Sequence, residues 1–398
     1  MRVVHIISTL DARAGGPVAV LIGLTSALVT AGLEIKVVST YKADDDLRLA
    51  ETLRIRGIGV EAIGPCIGPL SWHPGIGSIL RDVIRQTDVV HVHAVWEQVQ
   101  HEAAVMAFRE KVPYVMTPHG MLDPWSLQQK TIKKNLYMAW RLRTNLDRSA
   151  AIHFTSDTEY ELTKPLGLKA TKIVEPNGIE LEEFDSLPPA GTFRSRYHQL
   201  GQRPIVLFMG RLDAKKGLDL LIPAFAQAAP KEAALVIAGP GSTEYVKKLH
   251  ALIRHNNLGE RTLLPGMLYG RDRIAALTDA DLFVLPSYQE NFGIAVIESL
   301  AAGTPVVISD QINIWKQITN AAVGGVVPTN VSALSQELGN WMGDPERRQQ
   351  ASLRARAFVS ERYDWKRIAS CWVDHYARLS KQRDEIDIRG AVTEEHKK

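Results

Sequence analysis

Residues 281–305 read DLFVLPSYQENFGIAVIESLAAGTP. The apolar run before Pro286 predicts a buried strand, and the apolar spacing at 294–302 predicts a helix. The loop between them leads into a helix N-terminus, where backbone N–H groups favour an anion. Two carboxylates flank that point, Glu290 in the loop and Glu298 in the helix. The stretch therefore predicts a site that holds phosphate on amides and sugar hydroxyls on carboxylates.

The same alternation of short apolar runs and helical spacing extends outward over the chain, which favours α/β architecture with parallel sheets. Two doubly wound, Rossmann-like domains facing across a cleft are expected, with ligands at the carboxyl ends of the strands. The expected boundaries are 1–183 for the N-terminal domain on the acceptor side and 184–364 for the C-terminal domain on the donor side. Residues 365–398 are expected to form a helix packing back on the N-terminal domain, followed by a charged tail.

Composition indicates an ordinary globular protein rather than a nucleic-acid-binding or membrane-spanning one. The 398 residues are 45% hydrophobic and 23% charged, with a net charge of +3 that is too small to indicate nucleic-acid binding. The two cysteines show no metal or disulfide pattern. No apolar run reaches the ~18 residues of a membrane span. These features indicate a cytoplasmic protein, at most peripheral at the inner face of a membrane.

Loops at predicted strand ends carry the first candidate ligands. Gly15 and Gly16 follow the first strand, and two glycines let backbone amides approach a phosphate, although an ordinary turn explains the pair equally well. His119 ends another strand beside a glycine, a position that favours function over packing. His91 is interpreted as structural, whereas His93 could face the cleft.

A second set of strand-end loops is rich in glycine and basic residues. Arg211 and Lys215 or Lys216 straddle a strand-to-helix turn and can point at one diphosphate, the alternative being a solvated basic loop. The turns that contain Gly239 and Met267 could line a base pocket. The acidic run at 44–46 is interpreted as solvated and away from these strand ends.

Four motifs then carry a family resemblance. They are GRLDAKKG at 210–217, NGIE at 177–180, ADLFVLPS at 280–287 and the pair of glutamates separated by seven residues at 290 and 298. Together they resemble the retaining GT-B glycosyltransferases of family 4, from residue 1 to about 378. The resemblance implies a UDP- or GDP-sugar donor held mostly by the C-terminal domain, transfer of a hexose with retention of configuration, and no metal or other cofactor.

The resemblance also implies individual roles. Arg211 and Lys216 would bind the donor diphosphate, Glu290 the sugar hydroxyls and Glu298 the ribose, and His119 would lie beside the transferred sugar. The remaining donor contacts it implies are Gly15, Gly16, Gly239, Met267, Asn291, Phe292, Gly293 and Ile294. Many relatives have Gly-Asp-Gly where this chain has Gly-Pro-Gly at 239–241, so contacts in that turn are the least secure.

A retaining outcome needs either a double displacement or front-face attack, and the resemblance implies the front-face route, in which the leaving phosphate receives the acceptor proton. Fixed cations and amides aimed at that phosphate can stabilise its developing charge without a metal. The resemblance also implies a glycan or lipid-linked acceptor in polysaccharide biosynthesis. Candidate acceptor contacts in the N-terminal domain are His93, Trp96, Asp123 and Trp125.

Residues 130–148 form a further pattern, a basic amphipathic helix that contains six Lys and Arg residues with Leu136, Tyr137, Met138 and Trp140. Such a helix binds either an anionic membrane or a lipid diphosphate, or it turns its apolar face to the core and its basic face to solvent. The sequence favours the second of these interpretations.

Other functions of the same fold class remain open. A nucleotide-sugar 2-epimerase would need acid and base carboxylates around the sugar, and a nucleotide-sugar sensor would keep the diphosphate residues without His119. An NAD-type oxidoreductase would need Gly-x-Gly-x-x-Gly after the first strand, and residues 12–17 lack that spacing. The choice between UDP and GDP, the sugar and the acceptor are not fixed by the sequence.

Overall fold

The computed structural model describes the backbone of residues 1–395 and the side chains of residues 1–381. The charged tail expected at the end of the chain lies outside those side chains. The chain divides into two compact units. The first contains Met1–Gly178 and the C-terminal segment from Trp365, and the second is Ile179–Asp364. The chain thus enters the second unit slightly before the expected boundary at 183.

Within the described backbone, the strands are β1 (Arg2–Ile7), β2 (Glu34–Thr40), β3 (Gly59–Ile63), β4 (Val89–His93), β5 (Tyr114–Thr117), β6 (Ala151–Phe154), β7 (Thr171–Val174), β8 (Ile205–Met209), β9 (Ala234–Ala238), β10 (Thr262–Gly266), β11 (Leu282–Leu285), β12 (Val306–Ser309) and β13 (Gly324–Val327).

The α-helices of the same range are α1 (Gly16–Thr30), α2 (Arg48–Ile55), α3 (Ile76–Arg85), α4 (Gln98–Arg109), α5 (Pro124–Gln128), α6 (Thr131–Tyr137), α7 (Arg143–Arg148), α8 (Asp157–Thr163), α9 (Thr192–Arg196), α10 (Leu218–Ala228), α11 (Thr243–His255), α12 (Gly270–Asp279), α13 (Ile294–Ala301), α14 (Trp315–Ala321), α15 (Val331–Gly343), α16 (Pro345–Arg362) and α17 (Trp365–Glu395). A π-helix, Met138–Leu142, joins α6 to α7.

The first unit is built on a parallel sheet in the order β3-β2-β1-β4-β5-β6-β7. The strand order reverses between β1 and β4, so the carboxyl ends of these two strands form the switch point where such sheets bind ligands. The register of β1 and β4 pairs His5 with His91. Every residue of β4 is buried, as its apolar sequence VVHVH predicts for a strand covered on both faces.

The second unit repeats this plan with the order β10-β9-β8-β11-β12-β13, again parallel throughout. Its switch point lies between β8 and β11, whose residues are all buried. The loops after β8 and β11 are those that contain Lys216 and Glu290, so the topology itself brings these two sequence motifs together. The expectation of two Rossmann-like α/β domains is confirmed.

The C-terminal helix belongs to the first unit although the chain reaches it after the second. Helix α17 packs on α1 and reaches β4. Trp372 and Tyr376 on this helix are fully buried. The helix therefore supplies part of the core beneath the ends of the strands. Within the described residues, no helix is both long enough and apolar enough to cross a membrane.

Candidate active site

In the second unit, the loop after β8 is shaped by one cap and one glycine. The side chain of Asp213 accepts a hydrogen bond of 3.0 Å from the backbone N–H of Lys215 and begins the 3₁₀ turn that contains Lys216. Gly217 ends the turn at φ +70°, and a Cβ there would lie 2.1 Å from the carbonyl oxygen of Pro286. Only glycine therefore lets this loop pack against the end of β11.

The turn aims Lys216 at the loop that follows β11. Its Nζ forms an ion pair with Oε2 of Glu290, and the two side chains are 14% and 20% exposed. The backbone of Glu290 is fixed as well, because its N–H donates to the carbonyl of Gln311 (3.0 Å) and its carbonyl accepts from the N–H of Asn313 (3.1 Å). Arg211, at the end of β8, is exposed. The switch point thus carries a held carboxylate, a held cation and a second, accessible cation.

The other predicted residues of the loop before α13 have different surroundings. The side chain of Asn291 accepts a hydrogen bond of 3.2 Å from Nδ2 of Asn313. The ring of Phe292 is buried and lies edge-on to Tyr363, at 5.7 Å between centroids. Only the backbone of Phe292 is therefore available to a ligand. Gly293 caps α13, which begins at Ile294, so the N–H groups of the first turn form the anion-binding end of this eight-residue helix.

Glu298, the predicted ribose ligand, is paired in this structure. Its Oε1 accepts a hydrogen bond of 2.6 Å from Arg273, which also forms an ion pair with Glu183. Burial raises the pKa of Glu298, and the charge of Arg273 opposes that shift. Arg273 therefore orients the carboxylate, a role that no sequence motif indicated.

Gly239 is required by packing at the end of β9. A Cβ at this residue would lie 1.9 Å from the carbonyl oxygen of Gly210, and its N–H donates to the carbonyl of Gly266 at 2.8 Å. The ends of β8, β9 and β10 are thus tied together through backbone groups. Met267 follows directly and is half exposed.

In the first unit, three histidines form a hydrogen-bonded row near the switch point of the sheet. Nδ1 of His5 lies 3.0 Å from Nε2 of His93, and Nδ1 of His93 lies 3.0 Å from Nε2 of His119. His5 and His93 are buried, whereas His119 is partly exposed at the outer end of the row. His93 is therefore placed to position His119 rather than to contact an acceptor itself.

A second chain of polar groups runs beside this row. Nδ1 of His91 lies 2.6 Å from the hydroxyl of Tyr376, and its Nε2 lies 2.7 Å from Oγ1 of Thr117. The same hydroxyl of Thr117 lies 2.9 Å from Nδ1 of His153. Helix α17 therefore secures His91 through Tyr376, in keeping with the structural role expected for His91.

Burial sets the charge of the histidine row. It lowers the pKa of His5 and of His119 to about 3, and it lowers the pKa of His93 well below the ordinary value. Each ring is therefore neutral at pH 7 and carries one N–H, so both hydrogen bonds of the row must point the same way. Nε2 of His5 is buried without a partner. A buried nitrogen without a partner costs less free energy as an acceptor than as an N–H donor, so Nε2 of His5 should carry no proton. The proton of His5 is then on Nδ1, and because both hydrogen bonds point the same way, His93 and His119 also carry theirs on Nδ1.

His119 sits in a tight turn that presents its outer Nδ1 edge. His119 and Gly120 have φ of +52° and +73°, and the N–H of Met121 donates to the carbonyl of Pro118 at 3.1 Å. A left-handed histidine persists only where its surroundings enforce it. The buried carboxylate of Glu159 does so, since its Oε1 accepts a 2.6 Å hydrogen bond from the N–H of Gly120.

The nitrogens of His5, His91 and His93 lie within 4.8 Å of one another, close enough to suggest a metal centre. Both nitrogens of His91 and both of His93 are already hydrogen-bonded. Hydrogen bonding thus accounts for this cluster without a metal. Burial also lowers the pKa of His91, and the neighbouring histidines lower it further.

The remaining candidates of the first unit are dispersed. Helix α1 begins at Gly16, where a Cβ would meet no atom within 4 Å, and Gly15 precedes it at φ +81°. Trp96 packs edge-on against Tyr137, at 5.8 Å between centroids. Among the predicted acceptor contacts, Asp123 is buried and Trp125 is partly exposed.

The acidic run at 44–46 is not the isolated solvated loop that the sequence suggested. It lies by the ends of β1 and β2, where Arg13 donates to Asp11 (2.6 Å) and to the carbonyl of Asp44 (2.6 Å). The guanidinium of Arg13 keeps the pKa of Asp11 far below its usual range. These groups line a polar cavity of about 380 Å³, which also includes Ser8, Thr9, Tyr41, Lys42, Asp45, Ser71 and Glu97.

Glu159 is the clearest functional residue that the sequence analysis missed. Ser156 and Glu159 have the spacing of a helix capping box, and the hydroxyl of Ser156 does accept the N–H of Glu159. That pattern reveals the start of α8 but not the long-range contact of the carboxylate with Gly120. The histidine row could have been suspected from the sequence, because a histidine inside an apolar strand, as at His5 and His153, is unusual.

Comparison with known proteins gives matches in both units. Residues 192–358 match the family of glycosyl transferases group 1, and residues 15–178 match the glycosyl transferase 4-like domain. A D-inositol 3-phosphate glycosyltransferase of Xylanimonas cellulosilytica is 29% identical over 316 residues, covering 74% of this chain and 73% of that relative.

One further relative and one solved structure match nearly the whole chain. The GDP-mannose:cellobiosyl-diphosphopolyprenol alpha-mannosyltransferase of Xanthomonas campestris is 24% identical over 404 residues, covering 98% of this chain and 100% of that relative. The crystal structure of HepE from Anabaena with UDP and glucose is similar at a TM-score of 0.80 and 20% identity, covering 95% of this chain and 100% of that one. These findings agree with the fold and with the family resemblance of the motifs, and the chain belongs to the group 1 glycosyltransferases of the GT-B fold.

Proposed function

We propose that this glycosyltransferase moves a hexose from UDP- or GDP-sugar to a glycan or lipid-linked acceptor, with retention of configuration and without a metal, in polysaccharide biosynthesis. The observation that carries the proposal is the ion pair of Lys216 and Glu290 at the β8/β11 switch point, beside the N-terminus of α13. HepE was crystallised with UDP and glucose, and the Xanthomonas relative is named for GDP-mannose. Both support a nucleotide-sugar donor, whose base is either uracil or guanine.

The leaving diphosphate is assigned to Arg211, Lys216 and the first-turn amides of α13. Breaking the bond between sugar and phosphate places negative charge on the phosphate, and fixed cations and amides stabilise that charge. Lys216 is already held by the 3₁₀ turn and by Glu290, so little reorganisation is needed when the donor binds. This arrangement supplies the positive charge that a metal ion would otherwise provide.

Glu290 is assigned to the hydroxyls of the donor sugar. Its backbone is fixed on both sides, and its Oε1 is not the atom that pairs with Lys216. In the proposed front-face reaction the acceptor oxygen attacks on the side of the leaving phosphate, which accepts the acceptor proton. Glu290 then positions the sugar and keeps Lys216 in place, and it forms no covalent bond.

His119 is assigned to a hydroxyl of the transferred sugar. The histidine row favours an N–H on its Nδ1, which makes the exposed edge a hydrogen-bond donor. Glu298 is assigned to the ribose, with Arg273 orienting the carboxylate.

A thermal-shift panel of UDP, GDP and their common hexose derivatives, in buffer with EDTA, tests the proposal. One nucleotide series should raise the melting temperature by several degrees and the other should not. The responding donor is then incubated with glycan and lipid-linked acceptors, and the product is examined by proton NMR. A new glycoside with the anomeric configuration of the donor supports the assignment. Conversion of the donor to its C2 epimer, or binding without turnover with any acceptor, would replace it by an epimerase or a sensor.

A further inference from the structure

The helical segment 131–148 exposes an unusual surface in the first unit. Ile132, Leu136 and Trp140 are 78%, 68% and 74% exposed. Their spacing of four residues places them along one side of the helix. Three large apolar side chains in one exposed row exceed the single exposed residues that are normal on a soluble protein.

The apolar side chains of this segment were expected to face the core, and for Leu136 and Trp140 that expectation is wrong. Tyr137 and Met138 do pack against the core. Leu142 and Leu146 are fully buried and continue that inner face. The segment therefore already has a complete buried face, and the exposed row is additional to it.

A π turn lies at the centre of this segment, where the N–H of Arg143 donates to the carbonyl of Met138. The inner face runs through this turn from Tyr137 and Met138 to Leu142. Trp140 lies on the outer side, four residues after Leu136, and its ring stacks under the guanidinium of Arg141 at 4.2 Å.

The charge around this row has a single sign. Residues 124–146 contain five basic residues and no Asp or Glu. Lys130 and Lys133 are exposed beside Ile132 and Leu136, whereas Lys134 is turned inward to the carbonyl of Ser126 (2.5 Å). An exposed apolar row flanked by lysines is complementary to a surface that is apolar beneath and anionic above.

We infer that the face formed by Ile132, Leu136 and Trp140, with Lys130 and Lys133, is a docking surface for an anionic lipid bilayer. The helix lies in the interface, with Leu136 and Trp140 among the acyl chains and the lysines at the headgroups. Trp140 suits that depth because its ring is apolar and its N–H is polar. This inference does not depend on the proposed transfer reaction.

Vesicle co-sedimentation of the full chain tests the surface. Vesicles of phosphatidylcholine with phosphatidylglycerol are compared with vesicles of phosphatidylcholine alone, at low and high salt. The wild-type protein should bind the anionic vesicles and bind the neutral ones much more weakly. The double variant Leu136→Glu/Trp140→Glu should lose binding by roughly tenfold or more, and Lys130→Glu/Lys133→Glu by roughly fivefold per charge removed.

The matched control is Ile55→Glu, which alters an equally exposed apolar residue on α2 of the same unit. It should bind as the wild type does. All variants should keep the wild-type melting temperature and nucleotide-induced shift, which separates this result from any failure of the proposed function. Equal sedimentation of wild type and the Leu136/Trp140 variant would overturn the inference. Loss of a lipid-independent dimer in that variant, without vesicle binding by the wild type, would overturn it in favour of contact between copies.

Discussion

At the scale of single residues, Glu290 has one observed contact and one proposed role. It pairs with Lys216, and we propose that it also binds hydroxyls of the donor sugar. The variant Glu290→Ala should lower kcat by roughly 100-fold, the order seen when one fixed polar group is removed from a transition state. The nucleotide should still bind within roughly threefold, because Arg211 and the α13 amides remain.

Steady-state kinetics and nucleotide titration measure these two effects separately. Glu244→Ala, which removes an exposed carboxylate from the same unit, serves as the control and should leave both unchanged. Full turnover in Glu290→Ala would remove this residue from the reaction.

His119 offers a second test at this scale, because its tautomer is set by residues that never touch a ligand. In the wild-type protein, ¹⁵N NMR of the imidazoles should show His5, His93 and His119 neutral at pH 7 with their protons on Nδ1. The variant His93→Phe removes the Nδ1–H that donates to Nε2 of His119. Without that hydrogen bond, His119 should change to a mixture of its two neutral tautomers. A proton on Nε2 of His119 in the wild type would contradict the predicted direction of the row.

At the scale of elements, Glu159 ties α8 to the turn that carries His119. Its oxygens accept from the N–H of Gly120 (2.6 Å), the N–H of Thr155 (2.7 Å) and the hydroxyl of Thr155 (2.9 Å). The variant Glu159→Gln places an amide NH₂ against one of these N–H donors. At pH 8, above the Glu159 pKa of about 7, the free energy of unfolding should fall by about 2–3 kcal/mol, as for loss of buried hydrogen bonds to a charged group.

Urea unfolding measures this change. The control is Glu161→Gln, on the same helix but exposed and paired with Lys164, which should cost less than about 0.5 kcal/mol. An unchanged stability in Glu159→Gln would show that the carboxylate does not hold the turn.

The elements also show where the sequence was sufficient. Strands β2, β4, β6, β9 and β11 are each an apolar run bounded by turn residues, so the sequence indicates a strand at each position. The loops of Lys216 and Glu290 can be expected to lie close together because parallel strands present their following loops at one edge. Strand β13, Gly324–Val327, gives no such signal, because glycine occupies half of it and no alternation marks it.

The contacts that the sequence could not reveal depend on register and on rotation of helices. His5 meets His93 because of the pairing of β1 with β4, which local patterns do not encode. Likewise, apolar residues occur on both sides of the segment 131–148, so its sequence does not show that Leu136 and Trp140 face away from the core.

At the scale of the whole molecule, buried histidines couple stability to pH. Burial lowers the pKa of His5 and His119 to about 3 and that of His153 to about 4, and it lowers the pKa of His91 and His93 well below the ordinary value. The unfolded chain therefore binds more protons below pH 6.5, so stability falls as the pH drops. Each histidine contributes a slope of up to about 1.4 kcal/mol per pH unit between its two pKa values.

Glu159 acts in the opposite direction, because burial raises its pKa to about 7 and the folded state then keeps a proton that the unfolded chain loses. The first unit should accordingly lose stability as the pH falls from 6.5 to 5, and the slope from these six groups should grow to about four protons near pH 5. Calorimetry across this range measures it, and His5→Leu should reduce the slope by one proton while the exposed-site variant His250→Gln should not. A flat profile would mean that the histidines are not buried in neutral form.

The central claim is a diphosphate site made of protein cations and amides, and one titration tests it most directly. The nucleoside diphosphate that responds in the thermal-shift panel and its monophosphate are titrated calorimetrically in EDTA, with wild type and with Lys216→Ala. The account predicts that the diphosphate binds the wild type at least roughly tenfold more tightly than the monophosphate, and that Lys216→Ala removes most of this preference. Equal affinity for the two nucleotides in the wild type, or an undiminished preference in Lys216→Ala, would contradict it.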